Sequence, residues 1–217
     1  MKKIGVLLSG CGVYDGTEIH EAVISLLMLA QYGAQPLCMA PDTDQHHVVN
    51  HVTGEATGEK RSVLVESARI ARGEITDIKD VRAADIDGLI LPGGFGAAKN
   101  LSDFAIKGKN ADVHREVRRL ITETASAEKP IGGICISPTV LAIVLQDRYP
   151  EVTIGNDLGT AEAIEAVGAK HKVCTVDQIH VDEKNRLVTT PAYMLGPEIA
   201  DVAGGIEKLV AKVLEMA

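Results

Sequence analysis

The sequence predicts an α/β fold, a mostly parallel sheet with helices on both faces, and three observations point to it. Short apolar runs alternate with longer helix-like stretches along the 217 residues, the pattern of repeated β-α-β crossovers. Hydrophobic residues make up 46% of the chain while aromatics reach only 3% and tryptophan is absent, so the core must be built of Val, Ile, Leu and Ala, as in strands covered on both sides. Three of the apolar runs end in corners rich in glycine or bearing a thiol, and in doubly wound sheets ligands bind beyond the carboxyl ends of the strands. The length suits one domain, residues 1–217, with a sizeable core.

The first strand is "KIGVLLS" (3–9). Its surroundings, "MKKIGVLLSGC", imitate a bacterial lipoprotein signal, but the apolar stretch from Ile4 to Leu8 is shorter than the roughly 7 to 15 residues an export segment needs. A helix follows over 17–32, then the strand "QPLCMA" (35–40) and a helix over 60–71. The third strand, "IDGLILP" (86–92), leads to a helix over 111–127, and the fourth, "KPIGGIC" (129–135), to a helix over 138–147. Beyond a helix over 159–167 come the weaker runs "HKVCTV" (171–176) and "RLVTTP" (186–191), with "VDEKNR" (181–186) as the turn of a hairpin joining "DQIHV" to "RLVTT". A last helix spans 197–216. No run is apolar for long enough to cross a bilayer.

A net charge of -8 without any long Lys/Arg run argues against nucleic acid or an anionic membrane as partner. Small neutral or carbonyl-bearing substrates remain open. Cys11, Cys38, Cys135 and Cys174 show no C-x-x-C spacing, so neither a zinc site nor a disulfide framework is indicated, and a reducing cytoplasm is the expected location.

Three corners carry the chemistry. Cys135 stands where the fourth strand meets Ser137-Pro138, and proline is suited to a first helical turn because its missing N–H would go unpaired there. A thiol at such a strand-to-helix corner is a nucleophile elbow facing unpaired N–H groups, which favour thiolate and lower its pKa below about 8.5. The plain alternative is a small buried hydrophobe. In "PGGFGAAKNL" (92–101) the glycines let backbone N–H groups approach a neighbouring loop, so Gly93 and Gly94, joined by the N–H of Ile136, are candidate oxyanion donors; a simple turn is the alternative.

The third corner, "SGCGVYDG" (9–16), nearly spells a dinucleotide fingerprint with one residue too many, and Asp15, Glu18 and Glu21 would repel a pyrophosphate, so no cofactor is expected. Glu18 has capping-box spacing from Asp15. Glu21 has no such role: it shares a helical stripe with Ile24 and Met28, where a carboxyl group is expected to hold a proton near neutrality and to serve a neighbouring thiolate. A rim glutamate pointing at water is the alternative. His47 and His51 have helical i, i+4 spacing but lack a third ligand, so no metal is expected. The "NLS" at 100–102 is a glycosylation sequon only in a secreted chain.

Together "GGICISPTVL", "LPGGFGAAKNL", the glycine loop before Glu21 and "LVTTPAYMLGPEIADVA" resemble the ThiJ/PfpI superfamily, and "KKIGVLLSGCGVYDGTEIHEAV", "GGFGAAKNLSDFA" and "TTPAYML" resemble its ElbB-type branch of isoprenoid biosynthesis proteins with an amidotransferase-like domain. The resemblance runs along nearly the whole chain. It implies a flavodoxin-like three-layer sandwich, usually a homodimer, with the reactive cysteine at Cys135 and the pocket glutamate at Glu21. Two departures matter. The protease branch has histidine directly after the cysteine, where this chain has Ile136, and another branch has a pocket histidine where this chain reads "TIGND" around Asn156. A thiol without an imidazole partner is a poor peptidase, whereas attack on an aldehyde demands less. The resemblance therefore implies a glyoxalase that uses neither glutathione nor metal and converts glyoxal and water to glycolate through a hemithioacetal on Cys135. A redox-sensing protein with an oxidisable Cys135 and an amidotransferase-like hydrolase are the alternatives, the latter needing a histidine for which His20, His171 and His180 are only distant candidates. His20, Asn156 and Tyr193 are possible pocket residues.

Overall fold

Seven strands of the computed structural model, which describes residues 1–217, form the central sheet. In chain order the first elements are β1 (Lys3–Leu7), α1 (Ile19–Gln31), β2 (Gln35–Ala40), β3 (Val48–Val49), β4 (Ala56–Thr57), α2 (Val63–Ile70) and β5 (Thr76–Asp77). Next come β6 (Gly88–Leu91), α3 (Phe95–Lys99), α4 (Phe104–Lys107), α5 (Arg115–Ser126), β7 (Ile131–Ile134) and α6 (Pro138–Val144). The chain ends with β8 (Glu151–Gly155), α7 (Leu158–Ala166), β9 (Lys170–Val173), β10 (His180–Asp182), β11 (Leu187–Thr190) and α8 (Ile199–Met216). The sheet runs β10-β11-β7-β6-β1-β2-β5, parallel throughout except for the β10–β11 hairpin.

Side chains alternate across each strand, and the core divides accordingly. Ile4, Val6 and Leu8 face one layer with α1, α2 and α8, while Leu7 faces the other with α5 and α6. Ile90 likewise joins the first layer and its neighbours Leu89 and Leu91 the second. These layers hold 20 and 25 buried residues, so the sheet is sealed on both faces, the three-layer sandwich of the flavodoxin-like class. The two glycines of β7 set how closely helices approach it: a Cβ at Gly132 would lie 2.8 Å from Leu209 of α8, and one at Gly133 2.9 Å from Leu141 of α6.

Three details depart from the sequence expectation. The run at 171–176 does not join the central sheet; β9 pairs with β8 in a separate two-stranded sheet. The hairpin strand β10 already occupies that edge, and β8 lies against it through side chains, the Thr153 N–H donating to Thr189 Oγ1 and the Glu151 N–H to Asp182 Oδ2. His47 and His51 flank the short strand β3 rather than sharing a helical face. The Asp15 carboxylate accepts from the Val49 N–H, and it is Glu18 that caps α1.

Candidate active site

Because β7, β6 and β1 are neighbours in the sheet, the loops leaving their carboxyl ends meet, and the turn after β11 joins them. Cys135 follows β7 directly. Its φ of 62° is left-handed, a conformation that costs a non-glycine residue roughly 1–2 kcal/mol. Neighbours impose it: the Cys135 N–H donates to the Thr190 carbonyl at 2.9 Å, the Ser137 N–H to the Ile134 carbonyl at 3.0 Å, and Ser137 Oγ to the Pro92 carbonyl at 2.6 Å. The kink lifts the side chain off the strand, and the backbone N–H groups of Gly94 and Ile136 favour its thiolate.

Glu21 arrives from the first turn of α1. In an ordinary capping box the acid at this position would reach back to the N–H of the capping residue. Here only half of the box forms: Glu18 Oε2 accepts from the Glu21 N–H at 2.8 Å, while the Glu18 N–H donates to the Gly93 carbonyl at 2.9 Å. The Glu21 carboxyl is thereby free to turn inward, where Oε2 accepts from the Gly93 N–H at 2.8 Å and Oε1 from the Tyr193 N–H at 3.3 Å. Gly93 is tied to α1 through both its N–H and its carbonyl. No other residue fits, since a Cβ at Gly93 would stand 2.4 Å from the Cys135 Cβ and 2.7 Å from Glu21 Oε2.

Glu21 is fully buried, and Cys135 is 7% exposed. The two side chains flank Gly93 and lie close enough for each to shift the other's pKa. Burial, reinforced by the Glu18 charge, pushes the Glu21 carboxyl up to about 8, so it is protonated at neutrality as its apolar stripe predicts. Burial and the charge of Glu21 push the Cys135 thiol upward too, against the pull of the Gly94 and Ile136 N–H groups. That direction reverses the lowered thiol pKa expected from the corner alone, because desolvation outweighs two donors.

The sulfur opens into a cleft of about 340 Å³. Gly94, Ile136 and Tyr193 line it, together with Phe95, Asp157 and Thr160, which the sequence did not single out as site residues. Phe95 lay within the quoted glycine loop and Asp157 within "TIGND", but nothing in either stretch tells which side chain faces the cleft. Gly93 differs from its expected part, for its N–H is taken by Glu21 and only Gly94 and Ile136 face the sulfur. Asn156 is exposed and does not line the cleft; its neighbour Asp157 does. His20 stands behind the rim, with Nδ1 2.7 Å from the Tyr193 hydroxyl. His180 instead sits 3.3 Å from Glu151, and His171 Nε2 accepts from the Ile154 N–H, both in the β8–β10 layer.

No protein-family model matches the chain. It is 51% identical over 224 residues to the human "Glutamine amidotransferase-like class 1 domain-containing protein 3, mitochondrial", an alignment covering 99% of this chain and 83% of that one. Among solved structures, the isoprenoid biosynthesis protein with amidotransferase-like domain from Ehrlichia chaffeensis superimposes with a TM-score of 0.93 at 37% identity, covering 100% of this chain and 99% of the other. A DJ-1 superfamily protein from Salmonella typhimurium, at 18% identity and a TM-score of 0.60, shares the fold alone. The expected cytoplasmic location is corrected by these names: the human relative is named mitochondrial, as are ES1 proteins of Rattus norvegicus and Danio rerio. Cysteine spacing separates disulfide-rich secreted chains from reduced ones, but it does not tell one reducing compartment from another.

Proposed function

The chain belongs to the glutamine amidotransferase-like class 1 (ES1) family, and for this member we propose a cofactor-independent glyoxalase that converts glyoxal and water to glycolate. The observation that carries the reading is a buried Glu21 carboxyl beside Cys135, across Gly93 from it, with the Gly94 and Ile136 N–H groups favouring the thiolate and the cysteine lining a cleft.

The pair is reactive when it holds a single proton: the thiol, pushed above Glu21, keeps it while Glu21 is the carboxylate, and Glu21 takes that proton as the sulfur attacks. The sulfur adds to one aldehyde carbon; a C–S bond forms, the carbonyl π bond breaks, and the charge leaves sulfur for an oxygen on the same carbon, within reach of the Gly94 and Ile136 N–H groups. Glu21 protonates that oxygen and becomes a carboxylate. It next takes the hydrogen of the same carbon as a proton and returns it to the second carbon through an enediol. One aldehyde carbon is thereby oxidised to a thioester and the other reduced to an alcohol, so no outside oxidant or reductant is required. Water cleaves the thioester, releasing glycolate and the thiolate.

The amidotransferase activity suggested by the relatives' names would need an imidazole beside the nucleophile. The groups that act on the Cys135 sulfur are a carboxyl and two backbone amides, with no imidazole among them. Glycolate formation from glyoxal tests the proposal: Cys135→Ala is expected to abolish it and Glu21→Gln to lower it roughly 10²- to 10⁴-fold. Because the one-proton form grows as pH rises through about 8, kcat/KM should climb between pH 6 and 9 in the wild type and lose that rise in Glu21→Gln. Equal rates in all three proteins, or glutamine hydrolysis at a comparable rate, would remove the reading.

A further inference from the structure

A second cavity, of about 310 Å³, adjoins the catalytic cleft. Phe95 lines both, 47% exposed, and consecutive residues divide between them, Val13 in the cleft and Tyr14 in the chamber beyond. The chamber's one charged lining group is Lys99, four residues after Phe95 on α3 and therefore on the same helical face. Its ammonium lies 4.7 Å from the Phe95 ring centroid and is 3.1 Å from both the Tyr14 carbonyl and His47 Nε2. As acceptor of that bond, His47 is the neutral imidazole protonated at Nδ1. His51 Nε2 accepts from the Tyr14 N–H and lies 3.8 Å from Asp15 Oδ1, and its Nδ1 is 3.0 Å from the Val49 carbonyl. The nearby Asp15 carboxylate is held by the Val49 N–H, and no carboxylate reaches ion-pair distance of Lys99. A half-buried cation whose hydrogen-bond partners are neutral, and on which Asp15 acts only from beyond ion-pair distance, lacks the anion that would ordinarily complete it. In the cleft itself the signs are reversed, since Glu18 and Asp157 line it and repel an anion placed next to the reacting carbonyl.

We infer that the chamber is a subsite for the remote anionic group, carboxylate or phosphate, of an α-oxo aldehyde whose carbonyl end lies at Cys135. This rests on the reading of Cys135 as the carbonyl-attacking group. The reaction keeps its balance, R–CO–CHO plus water giving R–CHOH–COO⁻ and a proton.

Two five-carbon probes isolate the charge: 4,5-dioxopentanoate, and 2-oxopentanal, which lacks the carboxylate. The wild type should prefer the anionic probe in kcat/KM by about tenfold or more, the value of one charge-assisted hydrogen bond. Lys99→Gln should bring the ratio near one, and Lys99→Arg should keep most of it. Adding 3-phosphooxy-2-oxopropanal tells a phosphate preference from a carboxylate one. No preference in the wild type, or one that survives Lys99→Gln, overturns the subsite. Should no dicarbonyl be turned over, the glyoxalase reading fails instead, and calorimetry with 4-oxopentanoate, which keeps a remote carboxylate but presents a neutral ketone to the cleft, on the wild type and Lys99→Gln then decides: binding that needs Lys99 upholds the subsite, and its absence overturns it.

Discussion

Cys38 and Cys135 are equally buried, each 7% exposed, and burial raises the pKa of both thiols, that of Cys38 to about 11. Their surroundings differ in one respect that decides their chemistry. Cys38 lies within β2, opposite Val6 of β1, where backbone N–H groups are committed to the ladder and burial is the cause acting on the sulfur. Cys135 stands one residue beyond its strand with φ of 62°, so two N–H groups and a carboxyl converge on it. Equal exposure therefore does not mean equal chemistry. A thiol is set up for reaction by the donors aimed at it, and the backbone kink is what aims them.

The comparison breaks if the corner tolerates disturbance as a strand interior does. Gly93→Ala is the severest probe, because its Cβ would come within 2.4 Å of the Cys135 Cβ and 2.9 Å of the Ile134 carbonyl oxygen. Relief requires movement of the β6–α3 loop, and we expect a loss of about 3 kcal/mol or more in urea unfolding. Wild-type stability in this variant would show that the corner is loosely packed.

Glu21→Gln sharpens the comparison with a smaller effect of opposite sign. The folded-state pKa of Glu21, about 8, lies above the ordinary value of 4.5, so the folded protein holds the proton more tightly than the unfolded chain. Its contribution to stability is fully present below pH 4.5 and is lost as pH rises through 8. Glutamine carries no such penalty. At pH 8 the variant should be more stable than the wild type, the difference shrinking toward pH 5, as thermal unfolding across pH would register. A carboxyl placed for catalysis lowers stability in just this way, whereas one placed for packing would leave the variant weaker at every pH.

Much of this corner was legible in the sequence because its signals are local. Gly132-Gly133 before the thiol and Ser137-Pro138 after it identify a strand-to-helix turn, and the i, i+3 relation of Glu21 to Ile24 turns the carboxyl toward the core. What the sequence hid depends on atoms distant along the chain. That the Gly93 N–H goes to Glu21 rather than to an oxyanion follows from the half-formed box at Glu18, and that Tyr193 offers its backbone to Glu21 and its hydroxyl to His20 follows from the turn after β11. The separate pairing of β8 with β9 was illegible for a similar reason: Thr189 and Asp182 side chains supply the acceptors that a neighbouring strand would otherwise provide.

Cys38→Ala tests the other half of the comparison and carries the smallest expected effect. The sulfur fills space in the layer between β2 and the helices α1 and α2, and its removal leaves a void of about one heavy atom. Such a deletion costs roughly 1 kcal/mol in a core that relaxes only partly. No donor aims at Cys38 and no cleft reaches it, so glycolate formation and its pH dependence should match the wild type once the small loss of stability is allowed for. If the variant instead lost activity on the scale expected for Cys135→Ala, burial in a strand would prove compatible with reactivity, and the left-handed corner at Cys135 would lose its chemical meaning.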